Sequence, residues 1–207
     1  MTLEDAIDKV MGRPTQSSLR LAPLADYAIA QLDYHGLPGV KGGSSGELRI
    51  EGLARSKDWD VAYDFAGKPR LLLSLKSIWS NAGGAIPNRI DDLMGEAANV
   101  QQMSPEIVIG YLLLFDAKAD TRRREDELYW SEYFQNAVKK LAIRKAPVWN
   151  QGLIEGTWFI MFDSRKPKGT RVLDAAKVQN EGDAFFQSLL RELKIREPAI
   201  PFSKSIS

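Results

Sequence analysis

Residues Ile107 to Phe115 read IVIGYLLLF, nine positions without a charged side chain. The run is far too short to cross a bilayer, which takes roughly 20 apolar residues. It is also too continuous for a strand with one wet face, where apolar and polar residues would alternate. The segment is therefore expected to be a central strand, buried on both sides. The helices that cover it can be read from spacing. Leu21 to Tyr34 places Leu24, Ala28 and Leu32 on one helical face. Asn88 to Met103 does the same with Ile90, Leu93, Met94 and Ala97. Arg124 to Ile143 reads as a long helix carrying Leu128, Trp130, Tyr133, Phe134, Val138 and Leu141. Asp183 to Leu193 is the last, with Phe185, Phe186, Leu189 and Leu190. Trp59 to Phe65 and Arg70 to Ser77 read as strands joined by a hairpin at Ala66-Gly67-Lys68-Pro69, and Thr157 to Phe162 as a further strand. This order predicts an α/β fold, a mixed central sheet flanked by helices.

The 207 residues suit one domain, expected over 1–207. It divides into N-terminal helices and a loop (1–46), a hairpin, helix and strand (47–116), a helix–strand–helix unit (117–196) and a tail (197–207). Gly36 to Gly46 is rich in glycine and serine and reads as a loop. The tail, with Pro198 and Pro201, is expected to be loose or to bind a partner.

Composition removes several kinds of chemistry. There is no cysteine, so disulfides, thiol nucleophiles and cysteine metal sites are excluded. His35 is the only histidine, which excludes multi-histidine sites. It follows a helix end, where capping is the ordinary role. Charges nearly cancel, 28 Lys+Arg against 27 Asp+Glu, so no basic excess announces a nucleic acid and none excludes a local basic groove. The acidic, amphipathic start, Met1 to Val10, is unlike a signal peptide. No membrane partner is expected, and a cytoplasmic location is.

The chemistry that remains gathers in the hairpin. On an extended strand Asp60, Ala62 and Asp64 share one face; on the next, Leu72, Ser74 and Lys76 do. A lysine ending an apolar strand needs a partner, and a hairpin can bring Lys76 to Asp60. A carboxylate beside a lysine suits Mg²⁺-assisted phosphodiester hydrolysis, where metal and ammonium both meet developing negative charge. The same pair also occurs as a plain salt bridge. A carboxylate hydrolase built on Asp58, Asp60 and Asp64 is a third reading, which leaves Lys76 unexplained. Downstream, the polar segment Ser77 to Arg89 leads into Asn88-Arg89-Ile90-Asp91-Asp92. Its asparagines and arginine are of the types that read base edges, and its serines of the type that binds phosphates. A solvated loop before a helix with early acidic residues explains it equally.

Taken together, the motifs resemble one family. Lys57-Asp58-Trp59-Asp60 resembles the KKWD motif of the XhoI-type restriction endonucleases, in the PD-(D/E)XK nuclease superfamily. Leu75-Lys76-Ser77 resembles the end of that family's EFKS strand, and Asn88 to Gly95 its NNRxEEAxG helix. Ile109 to Leu114 resembles its GYLFLLE strand, and Gly52-Leu53-Ala54-Arg55 stands where the family has GYFR. The likeness covers roughly residues 48–116 in order.

The resemblance implies a restriction-endonuclease-like fold and a type II restriction endonuclease, a homodimer making site-specific, Mg²⁺-dependent cuts in double-stranded DNA. It implies that Asp60 binds the metal and that Lys76 positions water and stabilises the transition state. Ser74 stands where the family has its glutamate. One resolution is that Asp91 or Asp92 on the helix supplies the missing metal-binding carboxylate, with Glu51 and Glu96 as further candidates and Ser74 holding water or leaving room. The other is a DNA-binding protein that no longer cleaves. Ser77, Ser80, Asn81, Asn88 and Arg89 are the expected DNA contacts, joined by Arg165, Lys166 and Lys168 in a basic loop that also holds Arg171. Arg122, Arg123 and Arg124 sit among acids and read as a solvated helix start. Trp130, Tyr133 and Phe134 have the spacing of core or subunit-interface residues.

Overall fold

The computed structural model describes every residue except Thr15, Ser18, Val148 and Ser207. Helix α1 (Leu3–Met11) opens on Thr2, whose hydroxyl accepts from the Asp5 N–H, and buries Leu3, Ala6, Ile7 and Val10. Helix α2 (Ala22–Tyr34) packs against it and ends at His35. Short strand β1 (Lys41–Gly42) follows, then β2 (Leu48–Ile50) and β3 (Lys57–Trp59), which pair antiparallel as a small separate ribbon. The main hairpin is β4 (Val61–Phe65) and β5 (Lys68–Ile78). Then come α3 (Ala82–Gln101), β6 (Val108–Asp116), α4 (Trp130–Leu141), β7 (Gly156–Phe162) and α5 (Ala175–Arg196).

The sheet has five strands in the order β1-β4-β5-β6-β7. The β1–β4 and β4–β5 pairs are antiparallel; β5–β6 and β6–β7 are parallel. This is the expected mixed sheet, with β6 buried at every position. Alternation divides the core in two. Val61, Leu71, Leu73, Leu75, Leu112 and Leu114 face α1, α2 and α5. Ala62, Leu72, Ile109, Leu113 and Phe115 face α3 and α4. Burying each such aliphatic side chain contributes about 1.5–3 kcal/mol. A Cβ at Gly110 would strike Leu73, Leu189 and Phe185, so this one small residue in the apolar run lets α5 approach.

Several boundaries differ from the sequence reading. The hairpin turn is two residues, Ala66 and Gly67, both at positive φ, with Phe65 paired to Lys68; such turns match the twist of the strands. The strand expected over Trp59 to Phe65 breaks at Asp60, because Trp59 belongs to the β2–β3 ribbon and Val61 to the main sheet. Helix α3 begins at Ala82, six residues before the expected Asn88, and runs through Pro87. A proline ring clashes with the carbonyl four residues back; here that residue is Gly83, in the first turn. Helix α4 begins at Trp130, not Arg124, since Arg122 bridges to Tyr129 around a loop. The expected loose tail is anchored to the body at several points, although Pro201, Ser203, Lys204 and Ser205 are exposed; Ser207 lies outside the described residues. Ile200 is buried, the Ser203 N–H donates to the Gly36 carbonyl at 2.9 Å, and Lys204 donates to the Tyr34 carbonyl at 2.6 Å.

At the end of the sheet where β6 and β7 start, Glu155 is fully buried between Arg144 (2.7 Å) and Arg196 (2.8 Å). Its Oε2 also accepts from the Ile109 N–H at 2.6 Å. Among the described residues no helix is long and apolar enough to cross a membrane.

Candidate active site

The β4 ladder stops at the pair Val61–Leu73, while β5 runs on to Ile78. Asp60, in the bend before β4, takes over as acceptor: the Leu75 N–H donates to its Oδ2 at 2.7 Å. Its backbone carbonyl accepts from the Gly43 N–H at 3.0 Å. Gly42 has φ +128°, and a Cβ there would collide with the Asp60 carbonyl oxygen. Only glycine lets β1 close on this peptide. Burial pushes the Asp60 carboxyl above its ordinary range, against the opposing pull of the Leu75 N–H, Lys76 and Lys57.

Asp60 and Lys76 line one open cleft of about 510 Å³, together with Arg20, Glu47, Ser77, Trp79, Ser80 and Arg89. The hairpin therefore brings the two expected catalytic residues together. Lys76 has no ion-pair partner among the described residues, which leaves its ammonium free to meet an anion. Glu47 is a cleft residue that the sequence reading missed. It lies in the Gly/Ser-rich approach to β2, and the β1–β4 contact carries it to Asp60. Partial burial, then repulsion from Asp60 and Asp58, raises its carboxyl, with Lys76 and Lys57 opposing. The signal in sequence was faint, one acid closing a glycine-rich loop.

Ser74 is 1% exposed on the face toward α3, and its hydroxyl meets no hydrogen-bond partner among the described residues. Its cross-strand neighbour is Tyr111, whose buried hydroxyl also lacks a partner. Burial pushes the Tyr111 hydroxyl strongly upward; Arg89, Glu96, Asp92 and Asp60 are near enough to act on it.

On α3, Arg89, Asp92 and Glu96 fall on one side of the helix. Asp92 bonds Arg89 at 3.1 Å and is half exposed. Asp91 lies about 200° round the helix from Arg89 and is exposed. Glu51 is exposed at the end of β2 and does not line the cleft. The carboxylate the helix sends inward is Glu96, in an ion pair with Lys57 that leaves the side chains 12% and 13% exposed. The geometry thus gathers Asp60, Lys76, Ser74, Glu47, Lys57 and Glu96, with Asp92 at the margin through Arg89. It leaves out Asp91 and Glu51.

The expected DNA contacts divide as well. Strands β5, β6 and β7 are parallel, so their carboxyl ends and the segments after them share one end of the molecule. Ser77, Ser80 and Arg89 line the cleft at that end. The Ser77 hydroxyl accepts from the Trp79 indole N–H at 2.8 Å, and the Arg20 guanidinium stacks 3.7 Å above the Trp79 ring. Asn81 caps α3 by accepting from the Gly84 N–H, and Asn88 donates to the Gly84 carbonyl, so both amides serve the helix. In the loop after β7, Arg165 clamps Asp163 through two hydrogen bonds of 2.8 and 2.9 Å, holding that carboxyl down at about 2. Arg171 bonds Asp8. Lys166 and Lys168 are exposed, with no ion-pair partner among the described residues.

Among the described residues no group of three or more His, Asp or Glu is placed to hold a metal ion. Mg²⁺ does not need one, since it binds through one or two carboxylates, water and substrate phosphate. Asp60 and Glu47 repel each other across the cleft. The Leu75 carbonyl shares its N–H's side of the strand. That donor set, all oxygen and partly dehydrated, fits a hard divalent cation. Comparison with protein-family models, with curated proteins and with solved structures finds no match.

Proposed function

We propose that this chain is a Mg²⁺-dependent endonuclease of double-stranded DNA, of the site-specific, type II restriction kind. One observation carries the reading. A partly buried carboxylate, Asp60, is fixed by the backbone of β5, the strand that carries Lys76; Lys76 has no ion-pair partner among the described residues, and the two open on one cleft. The segments that build this junction are those that resemble the XhoI-type endonucleases, and Asp60 and Lys76 stand in the equivalent motifs.

On this reading Asp60 and Glu47 would hold the cation, with the Leu75 carbonyl as a further oxygen donor. The bound metal supplies charge neutralisation at the scissile phosphate and a water of lowered pKa. Lys76 donates to the attacking water or to a non-bridging phosphate oxygen as negative charge grows there. Asp60, held at one oxygen by the Leu75 N–H, keeps the other oriented toward the cleft. Arg20 and Arg89 on the cleft wall, with Lys166 and Lys168 beyond it, attract the phosphate backbone. Ser74 leaves room and holds no metal. A palindromic target matches a two-fold homodimer.

Incubating the protein with phage DNA and Mg²⁺ tests the reading. Discrete fragments that vanish with Lys76→Ala support it. The neutral Ser74 favours a second reading, a DNA-binding protein without cleavage. Salt-dependent binding with DNA left intact in Mg²⁺ and Mn²⁺ would establish that one. No affinity for DNA at low salt refutes both.

A further inference from the structure

We propose that the Lys57 ammonium occupies the place of a second divalent cation, so that the site binds one metal ion, at Asp60 and Glu47, and none at Glu96. The inference rests on the nuclease reading above and concerns how many cations that site accepts. Lys57 and Glu96 come from different elements, β3 and α3, and form an ion pair shielded from water. The Lys57 ammonium also lies 4.2 Å from the centre of the Trp59 ring, whose negative face favours a cation there. It is therefore fixed from two sides.

The inner side of the site has one charged carboxylate, Glu96, and Lys57 already neutralises it. Ser74, the strand residue facing α3 between Leu72 and Lys76, offers only a neutral hydroxyl. A dication at Glu96 would have to break the ion pair and leave the Lys57 ammonium buried beside it. Breaking a buried pair in this way is strongly unfavourable. The outer side is the opposite case. Asp60 and Glu47 line the same cleft, and neither is held in an ion pair among the described residues, so both are open to a dication. The site thus contains two cation positions and fills one of them from its own sequence.

Calorimetric titration of the full chain with Mn²⁺, without DNA, counts the sites. The wild type is expected to bind one ion, and Asp60→Asn to abolish it. Lys57→Met keeps the length of the side chain and frees Glu96; it is expected to bind two, falling back to one in Lys57→Met/Glu96→Gln. Two ions in the wild type, or a single ion in a folded Lys57→Met, would overturn the proposal. Glu96→Gln is the second test and does not depend on Lys57→Met folding. It is expected to keep the wild-type ion with affinity within about threefold; loss of that ion would make Glu96 a ligand and overturn the proposal. Absence of any Mn²⁺ binding in the wild type, both alone and with duplex DNA added, would instead defeat the metal-dependent nuclease reading on which the proposal stands.

Discussion

Replacing Ser74 by alanine is expected to stabilise the protein. The hydroxyl is 1% exposed on a central strand and finds no partner among the described residues. A buried hydroxyl without a hydrogen bond costs about 1–3 kcal/mol in proteins. Alanine gives up one oxygen's dispersion contacts, worth under about 1 kcal/mol. The net expectation is a gain of about 1 kcal/mol, or about 2–4 °C in Tm for a chain of this size. Urea and thermal unfolding followed by circular dichroism measure it directly. Tyr111→Phe, across the ladder, is expected to behave alike; the two positions are cross-strand neighbours, so the double-variant cycle measures their coupling. A Ser74→Ala variant weaker than wild type by about 1 kcal/mol or more would refute the reasoning. It would mean that ordered solvent bonds the hydroxyl, and coupling in the double variant would place that solvent between Ser74 and Tyr111. Cleavage by Ser74→Ala is expected to persist, because the mechanism assigns that hydroxyl no ligand.

Asp60→Asn is expected to abolish cleavage and raise stability at neutral pH, since burial lifts the Asp60 carboxyl above its unfolded value of 3.8. The ionised form is disfavoured on folding, so the gain is full above the folded pKa and disappears as pH falls through the unfolded one; unfolding of both proteins across pH checks the sign. Glu155→Gln is expected to cost about 3–5 kcal/mol, because buried Arg144 would lose its anion and Arg196 would keep only Glu192, at 3.3 Å; a loss below about 1 kcal/mol in urea would show that Glu192 and backbone carbonyls satisfy them. Lys166→Ala and Lys168→Ala are each expected to lower the slope of log affinity for DNA against log salt by about 1. Arg165→Ala should change it less, since Asp163 already holds that guanidinium. An unchanged slope in both lysine variants would remove the loop from the DNA interface.

The sheet was legible because its inner strands are apolar on both faces, a pattern only burial explains. Asp60 and Lys76 were legible as a pair because a hairpin fixes register over short separation. What escaped the sequence depends on contacts between distant segments. Glu47 reaches Asp60 through Gly42 and Gly43, whose open backbone reads in sequence as loop. Glu96 was one acid among several on α3, and its ion pair with Lys57, 39 residues away, distinguishes it. Asp91 was attractive by position in a motif, but helical geometry turns it from the cleft. Sequence spacing places the helix from Asn88 on, whereas it begins at Ala82; Pro87 fits because the carbonyl four residues back, that of Gly83, lies in the first turn.

The shared direction of β5, β6 and β7 has a consequence for how such a chain can change. Each strand releases the backbone at the cleft end, into 79–81, 117–129 and 163–174, while the ladders behind are fixed by their own apolar side chains. Trp79, Ala119 and Val172 in those segments pack on the core, whereas the exposed stretch Arg165–Gly169 can vary without disturbing the sheet. On the nuclease reading, grafting that stretch between related chains would transfer the preferred target sequence and leave the hydrolytic machinery intact.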